Sequence, residues 1–410
     1  MDRIEAARRA TTGGARIRRA SAWVSACALA ALLAGCGGGG TSAAAGAGAA
    51  RISQDRVSAA PTGGGEAAEL NVYNWSDYIA EDTVRAFQTR TGIRVNYNTF
   101  SSLDALGEAM ASDPDTYDVI FPSARPLARE LVAAGKLRPL DKSALPNFGN
   151  LDRSILEDLA QFDAGNAHLV PYMWGTTGIG MNTALVRAAL GGNAALDSWD
   201  LLFDPALASK LSSCGIGILD DPMEPITSAL IRRGRDASDR SPEAMDLVKR
   251  DFMAIRPYVR KFTGSSELIA DLASGDLCIV LSYSGDVIQA QALAAEREGG
   301  PEIRYVIPRE GALRWTDTMA IPKNAKHPKN AHAFIDYLME AETIAAITNY
   351  VAYANANSAS APLIDKAIAE DPAIYPPPAV QAKLSGIGEL SADDVALQRN
   401  TWLKIVYGEI

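Results

Sequence analysis

The sequence predicts an α/β protein, with parallel strands wrapped by helices, on three observations. Strand-like and helix-like runs alternate from Leu70 onward, and repeated β then α units build a parallel sheet covered by helices. The chain has 410 residues, 48% hydrophobic and 21% charged, the composition of a globular protein long enough for about two domains. Several apolar runs end in acidic or polar turns, and in open α/β sheets ligands sit beyond the carboxyl ends of the strands.

The folded body begins at Glu69. LNVYNW (Leu70 to Trp75) has strand character. Asp82 to Arg90 sets Val84 and Phe87 at helical spacing, with Gly92 placed to stop the helix. IRVNYNTF (Ile93 to Phe100) predicts a second strand, Leu103 to Ala111 a helix, and YDVIFPS (Tyr117 to Ser123) a third strand. The loops NWSD (Asn74 to Asp77) and PSA (Pro122 to Ala124) then fall at strand ends and are the first candidates for a site. Further on, SCGIGILDD (Ser213 to Asp221) and DLCIVLSYSGD (Asp276 to Asp286) are apolar strands running into acidic turns. A helix between Pro242 and Ile255 and the segment from Glu267 to Ala273 cover them. Cys214 and Cys278 belong to these two strand regions, and in an exported protein they predict a disulfide. Closing a loop of about 65 residues would stabilise the fold by roughly 4 kcal/mol. Two buried free thiols are the alternative.

The first 36 residues stand apart. Residues 1 to 19 carry six arginines against two acids, and Ala20 to Gly35 is uncharged and rich in small apolar residues, ending in LAGC at Cys36. A positive segment, a short apolar run and small residues before a cleavage point describe an export signal. The LAGC box resembles the bacterial lipoprotein signal, which implies that Cys36 becomes the lipid-modified first residue; ordinary secretion is the alternative. Residues 37 to 68 contain nine glycines and almost no large apolar side chains, so they read as a flexible tether. From position 37 onward 33 basic residues face 47 acidic ones, a net charge of −14, which argues against nucleic acid as a partner. His168, His327 and His332 and the four cysteines are scattered without metal-ligand spacing, so neither a metal nor a cofactor is expected.

The acids that follow strand-like runs are Asp77, Asp221, Glu224, Asp286 and Asp317, and beside them stand Trp75, Tyr78, Tyr283, Trp315 and Tyr353. Carboxylates offered together with ring faces suit a cation that has an apolar body, because rings attract ammonium groups and also pack against methylenes. Several carboxylates without Lys or Arg repel one another and are costly to desolvate unless a polycation neutralises them. Each residue alone also has an ordinary reading, the acid as a helix cap and the ring as core. Spacing does not show that they converge.

Almost the whole body, from Leu70 to about Leu384, resembles the bacterial spermidine/putrescine-binding proteins that serve ABC importers, and most closely their putrescine-binding branch. The resemblance rests on VYNWSDYIAEDTV (Val72 to Val84), LDKSALPNF (Leu140 to Phe148), PYMWGTTGIGMN (Pro171 to Asn182), DSWDLLFDP (Asp197 to Pro205), GDLCIVLSYSGDVIQA (Gly275 to Ala290), IPREGA (Ile307 to Ala312) and YANAN (Tyr353 to Asn357). It implies a type II fold of two α/β lobes joined by two crossings, with lobe 1 at 69–176 and 317–358 and lobe 2 at 177–316 and 359–410. It also implies a polyamine in the cleft, delivery to an ABC permease in the inner membrane, and a monomer held outside the cytoplasm by its lipid.

Carried over residue by residue, Trp75 and Tyr78 belong to an aromatic box, Ser76 and Asp77 hold one amine and Ser123 lines the same end. Glu224, Asp286 and Asp317 supply carboxylates along the cation, and Tyr283, Trp315 and Tyr353 clasp its methylenes. Tyr283 replaces the tryptophan usual in the family, and Arg125 and Pro126 depart from the small or apolar residues expected beside Ser123. A guanidinium there must point away or pair with an acid. Ser76 and Asp286 resemble the putrescine branch, whereas Asp221 and Trp315 resemble the spermidine branch, so both ligands stay open. The expected mechanism is a clamshell closing on a protonated polyamine. A lipid-anchored hydrolase is the rival from another class, but the body has no GxSxG elbow and no evident nucleophile and base pairing; no enzyme activity is expected. A polyamine sensor for a membrane receptor is the third reading.

Overall fold

The computed structural model describes residues 66 to 192 and 194 to 408. The export signal, Cys36 and all but the last three residues of the expected tether lie outside the described residues. Strand β1 (Glu69–Trp75) buries Leu70, Val72 and Asn74 on one face, the period-2 pattern of a strand with one face on a core. Helix α1 (Thr83–Thr91) stops at Gly92, which takes the left-handed conformation at φ 72°. β2 (Arg94–Phe100) then lies parallel to β1, with Glu69 opposite Arg94 and Trp75 opposite Phe100. Helix α2 (Leu103–Ser112) is capped by the Ser102 hydroxyl, which accepts from the Ala105 amide.

The third strand is shorter than the sequence suggests: β3 is only Val119–Ile120. Pro122 cannot donate to a ladder, and its carbonyl accepts instead from the amide and hydroxyl of Thr318 at 2.9 and 2.8 Å. This bend aims Ser123 at Asp317, its partner in an isolated antiparallel bridge.

The remaining strands are β4 (Leu169–Asn182), β5 (Ile216–Leu219), β6 (Val259–Thr263), β7 (Ile279–Tyr283), β8 (Ile303–Val306), β9 (Ala312–Ala320), β10 (Ala354–Asn355) and β11 (Leu384–Ser385). The strand order is β2-β1-β3-β9-β4-β7-β5-β6, with β8 and β10 also on β4 and β11 on β9. Parallel pairing, as expected from the alternation, holds at both ends of this sheet. The middle is antiparallel, because β4 pairs with β9, β7, β8 and β10 in that sense. Local β then α units cannot disclose such long-range pairings.

β4 and β9 are the two crossings. The start of β4 pairs with the end of β9 and with β10, while its second half pairs with β7 and β8. Each side has its own core. Val72, Phe87, Tyr172, Phe334 and Ile347 belong to the core of the first lobe. Trp199, Ile218, Phe252, Leu281 and Ile405 belong to that of the second. Tyr283 packs against both.

Helices α3 (Met223–Arg232), α4 (Pro242–Ile255), α5 (Ser265–Ser274) and α6 (Ser284–Ala295) cover the second lobe, and α7 (Pro328–Leu338) and α8 (Ala341–Val351) the first. After Ser358 the chain stays against the first lobe for a stretch, with Asn349 bonded to Leu363 and Asp365 and Tyr375 edge-on to Trp174. It then reaches the second lobe, where α9 (Ala392–Tyr407) sets Trp402 against Phe252 at 5.5 Å. Cys214 and Cys278, just ahead of the adjacent parallel strands β5 and β7, are joined as a disulfide across a Cα separation of 5.4 Å.

Candidate binding site

Of the two crossings, β9 contributes Trp315 and Asp317 to the cleft between the lobes, and strand and helix ends bring its other polar groups together. β7 ends at Tyr283 and α6 begins at once, so Asp286 falls in the first helical turn. Glu224 occupies the same place in α3. An N-terminal turn is a favourable position for a carboxylate because the backbone N–H groups point toward it. Asp317 is in β9.

Each of the three carboxylates is buried and held by one hydroxyl. The Tyr353 hydroxyl donates to Asp286 Oδ1 at 2.6 Å and accepts from the Asp286 amide at 3.1 Å. The Ser123 hydroxyl donates to Asp317 at 2.5 Å, and the Thr177 hydroxyl donates to Glu224 at 2.5 Å. The buried Tyr78 hydroxyl faces Asp317, and Asp286 Oδ2 is buried without a hydrogen-bond partner of good geometry.

Five rings connect these acids. Trp75 meets Tyr283 edge-on at 6.4 Å, Tyr283 meets Trp315 at 5.6 Å, Trp315 meets Tyr353 at 5.4 Å and Tyr353 meets Tyr78 at 5.1 Å. Two glycines make the close approach possible. A Cβ on Gly175 of β4 would lie 2.6 Å from the Trp315 ring, and one on Gly285 would lie 2.4 Å from the Tyr353 ring.

Burial sets the electrostatics. Desolvation pushes Asp286 and Asp317 up to about 7, opposed at Asp286 by the Tyr353 and Ser265 hydroxyls and at Asp317 by those of Ser123 and Tyr78. Glu224 is pushed up to about 8, first by desolvation and then by the nearby Asp221. A cation entering this space would offset the cost of desolvation and screen the mutual repulsion together.

The narrow, partly open space between them, about 30 Å³, is lined by Trp75, Ser76, Tyr78, Ser123, Glu224, Tyr283, Asp286, Trp315, Asp317 and Tyr353, all expected from the sequence, together with Leu103 and Ser265. The Ser76 hydroxyl donates to the Phe100 carbonyl at 3.2 Å. Two expected residues are not in that wall. Asp77, exposed and left-handed at φ 55°, accepts from the Ser266 hydroxyl across the cleft at 2.7 Å and lines an outer crevice. Asp221 accepts from the Met223 amide at 3.0 Å, and burial pushes its carboxyl up to about 6. It anchors the start of α3, the capping role that acids after strands often play.

Leu103 and Ser265 were missed, although each opens a helix just after a strand, at α2 after β2 and at α5 after β6. The rule that selected Asn74 to Asp77 would have found them. Arg125 does pair with an acid: Nη1 donates to Asp158 Oδ2 at 2.7 Å, and its guanidinium lies 4.8 Å over the Phe162 ring.

Two lobes with separate cores, two crossing strands and a buried cleft of acids and rings between them define a solute-binding protein. The chain belongs to the bacterial extracellular solute-binding protein family, whose model matches residues 82–376. It is 42% identical over 340 residues to the putrescine-binding periplasmic protein SpuD of Pseudomonas aeruginosa, covering 83% of this chain and 92% of that one. It is 41% identical over 345 residues to the putrescine-binding periplasmic protein PotF of Escherichia coli, with the same coverage. Among solved structures, the spermidine/putrescine ABC transporter substrate-binding protein PotD of Streptococcus pneumoniae superposes with a TM-score of 0.65 at 26% identity, over 82% of this chain and 98% of that one.

Proposed function

We propose that the protein captures a protonated polyamine, putrescine or spermidine, outside the cytoplasm and delivers it to an ABC permease. One observation carries this reading: three buried carboxylates and five aromatic rings share one narrow space whose lining, among the described residues, contains no Lys or Arg. Such a space is costly to leave empty of positive charge and suits an alkyl chain tipped with ammonium groups. The names of the relatives support the choice of polyamine. Asp286, Asp317 and Glu224 take the ammonium groups, the rings pack on the methylenes, and Ser76, Ser123, Leu103 and Ser265 complete the wall. Asp77 stands at the mouth, and Asp221 supports α3.

Lobe 1 is formed by 69–176 and 317–358 together with the stretch through Tyr375 that packs on it, lobe 2 by 177–316 and the C-terminal segment that ends in α9, and the protein binds and releases without catalysis. Cys36 carries the lipid, the segment to residue 68 is the tether, and the protein acts as a monomer. Calorimetry of residues 69–410 with putrescine, spermidine and lysine tests the reading. Binding of at least one polyamine with lysine silent is expected; equal or absent binding rejects it.

A further inference from the structure

Ser123, Glu224 and Trp315 of the box also border a second, partly open compartment of about 310 Å³, whose wall continues through Arg125, Asp158, Arg314 and the glycines Gly386 and Gly388. A chain with a third nitrogen would extend here, and space does not prevent it. The charges do. Glu224 is shared with the box, where it serves the ligand's nearer ammonium group. Beyond it the charged residues are two guanidiniums and one carboxylate.

Arg125 is fixed in place. Its backbone is extended (φ −131°, ψ 135°) inside the tight helical turn Ala124–Ala128, directly after Ser123. Two hydrogen bonds to the Asp158 carboxylate and the Phe162 ring hold its guanidinium. The pair is locally neutral, so Arg125 acts by withholding Asp158 from a ligand, and the remaining charge beyond Glu224 is Arg314. Arg314 precedes Trp315 on β9 and is exposed. Asp221, the acid that could have served a third nitrogen, is absent from the wall of either compartment.

We infer that Arg125 and Arg314 are specificity-determining residues that close the site electrostatically to linear triamines, leaving it a receptor for short diamines. A third ammonium group would lose its water to face net positive charge. This inference rests on the proposed polyamine binding and names the substrate class of that site.

The test is calorimetry of residues 69–410 at pH 8 and low salt with putrescine, spermidine and spermidine acetylated on one terminal nitrogen. Putrescine is expected to bind at least tenfold more tightly than spermidine, and the acetylated compound more tightly than spermidine, because it fills the compartment without the third charge. Arg314→Ser and the pair Arg125→Ser with Arg314→Ser are expected to tighten spermidine at least fivefold and tenfold, with putrescine unchanged within threefold. Arg125→Lys should keep the wild-type preference. Spermidine binding as tightly as putrescine to the wild type overturns the inference. So does equal rejection of both long ligands combined with no gain in Arg314→Ser, which would mean exclusion by shape. A wild type that binds none of the three refutes the polyamine reading itself.

Discussion

Asp286→Asn removes one charge from the box while keeping its volume and a hydrogen-bond acceptor for Tyr353. Asp286 Oδ1 already receives the Tyr353 hydroxyl at 2.6 Å, and Oδ2 is buried without a partner of good geometry, so the second oxygen is the one offered to a ligand. A hydrogen bond to a charged group contributes about 1.5 to 3 kcal/mol, and a buried ammonium group deprived of its counter-charge adds to the loss. A total of about 2 to 4 kcal/mol corresponds to roughly 30- to 700-fold in Kd. The assay is titration calorimetry of residues 69–410 with putrescine at pH 8, alongside thermal melts of the ligand-free protein. The ligand-free melting temperature should stay level or rise, because burial disfavours the ionised carboxylate that the change removes. An affinity within threefold of wild type, with the fold intact, would take Asp286 out of the site.

Three further predictions follow from the same geometry. Because burial holds Asp286 and Asp317 near 7 and Glu224 near 8 without ligand, protons compete with ammonium groups. For the ligand-free closed form, these raised carboxyls stabilise most below about pH 4, and that contribution is lost as pH rises toward about 8. Polyamine affinity runs the other way, and one carboxyl titrating near 7 implies about tenfold weaker binding at pH 6 than at pH 8. Calorimetry in buffers of different ionisation enthalpy should show proton release on binding, and a flat profile would contradict the assignment. Replacing Cys214 and Cys278 by serine should lower stability by about 3 to 4 kcal/mol, read by denaturant unfolding, with ligand affinity little changed. Gly285→Ala should push the Tyr353 ring off Asp286 and weaken binding at least tenfold, since the new Cβ would lie 2.4 Å from that ring; unchanged affinity would show that the ring can shift freely.

Much of this protein is legible along the chain. Strand ends mark Trp75, Ser76, Tyr78 and Asp286, because a side chain that follows a strand emerges at the sheet's carboxyl edge whatever the rest of the fold does. The parallel segments at the two ends of the sheet follow from local alternation for a similar reason. What tertiary structure alone decided is convergence. Ser123 meets Asp317, Thr177 meets Glu224 and Tyr353 meets Asp286 through pairings between segments far apart in sequence, which periodicity cannot register. The same holds for Asp221 and Asp77, acids after strands like the others, yet one anchors a helix and the other faces Ser266. The antiparallel pairing of β4 with β9 sets the lobes against each other and determines which acids lose their water. Desolvation depends on everything that surrounds a group, so no single stretch of residues could have revealed it.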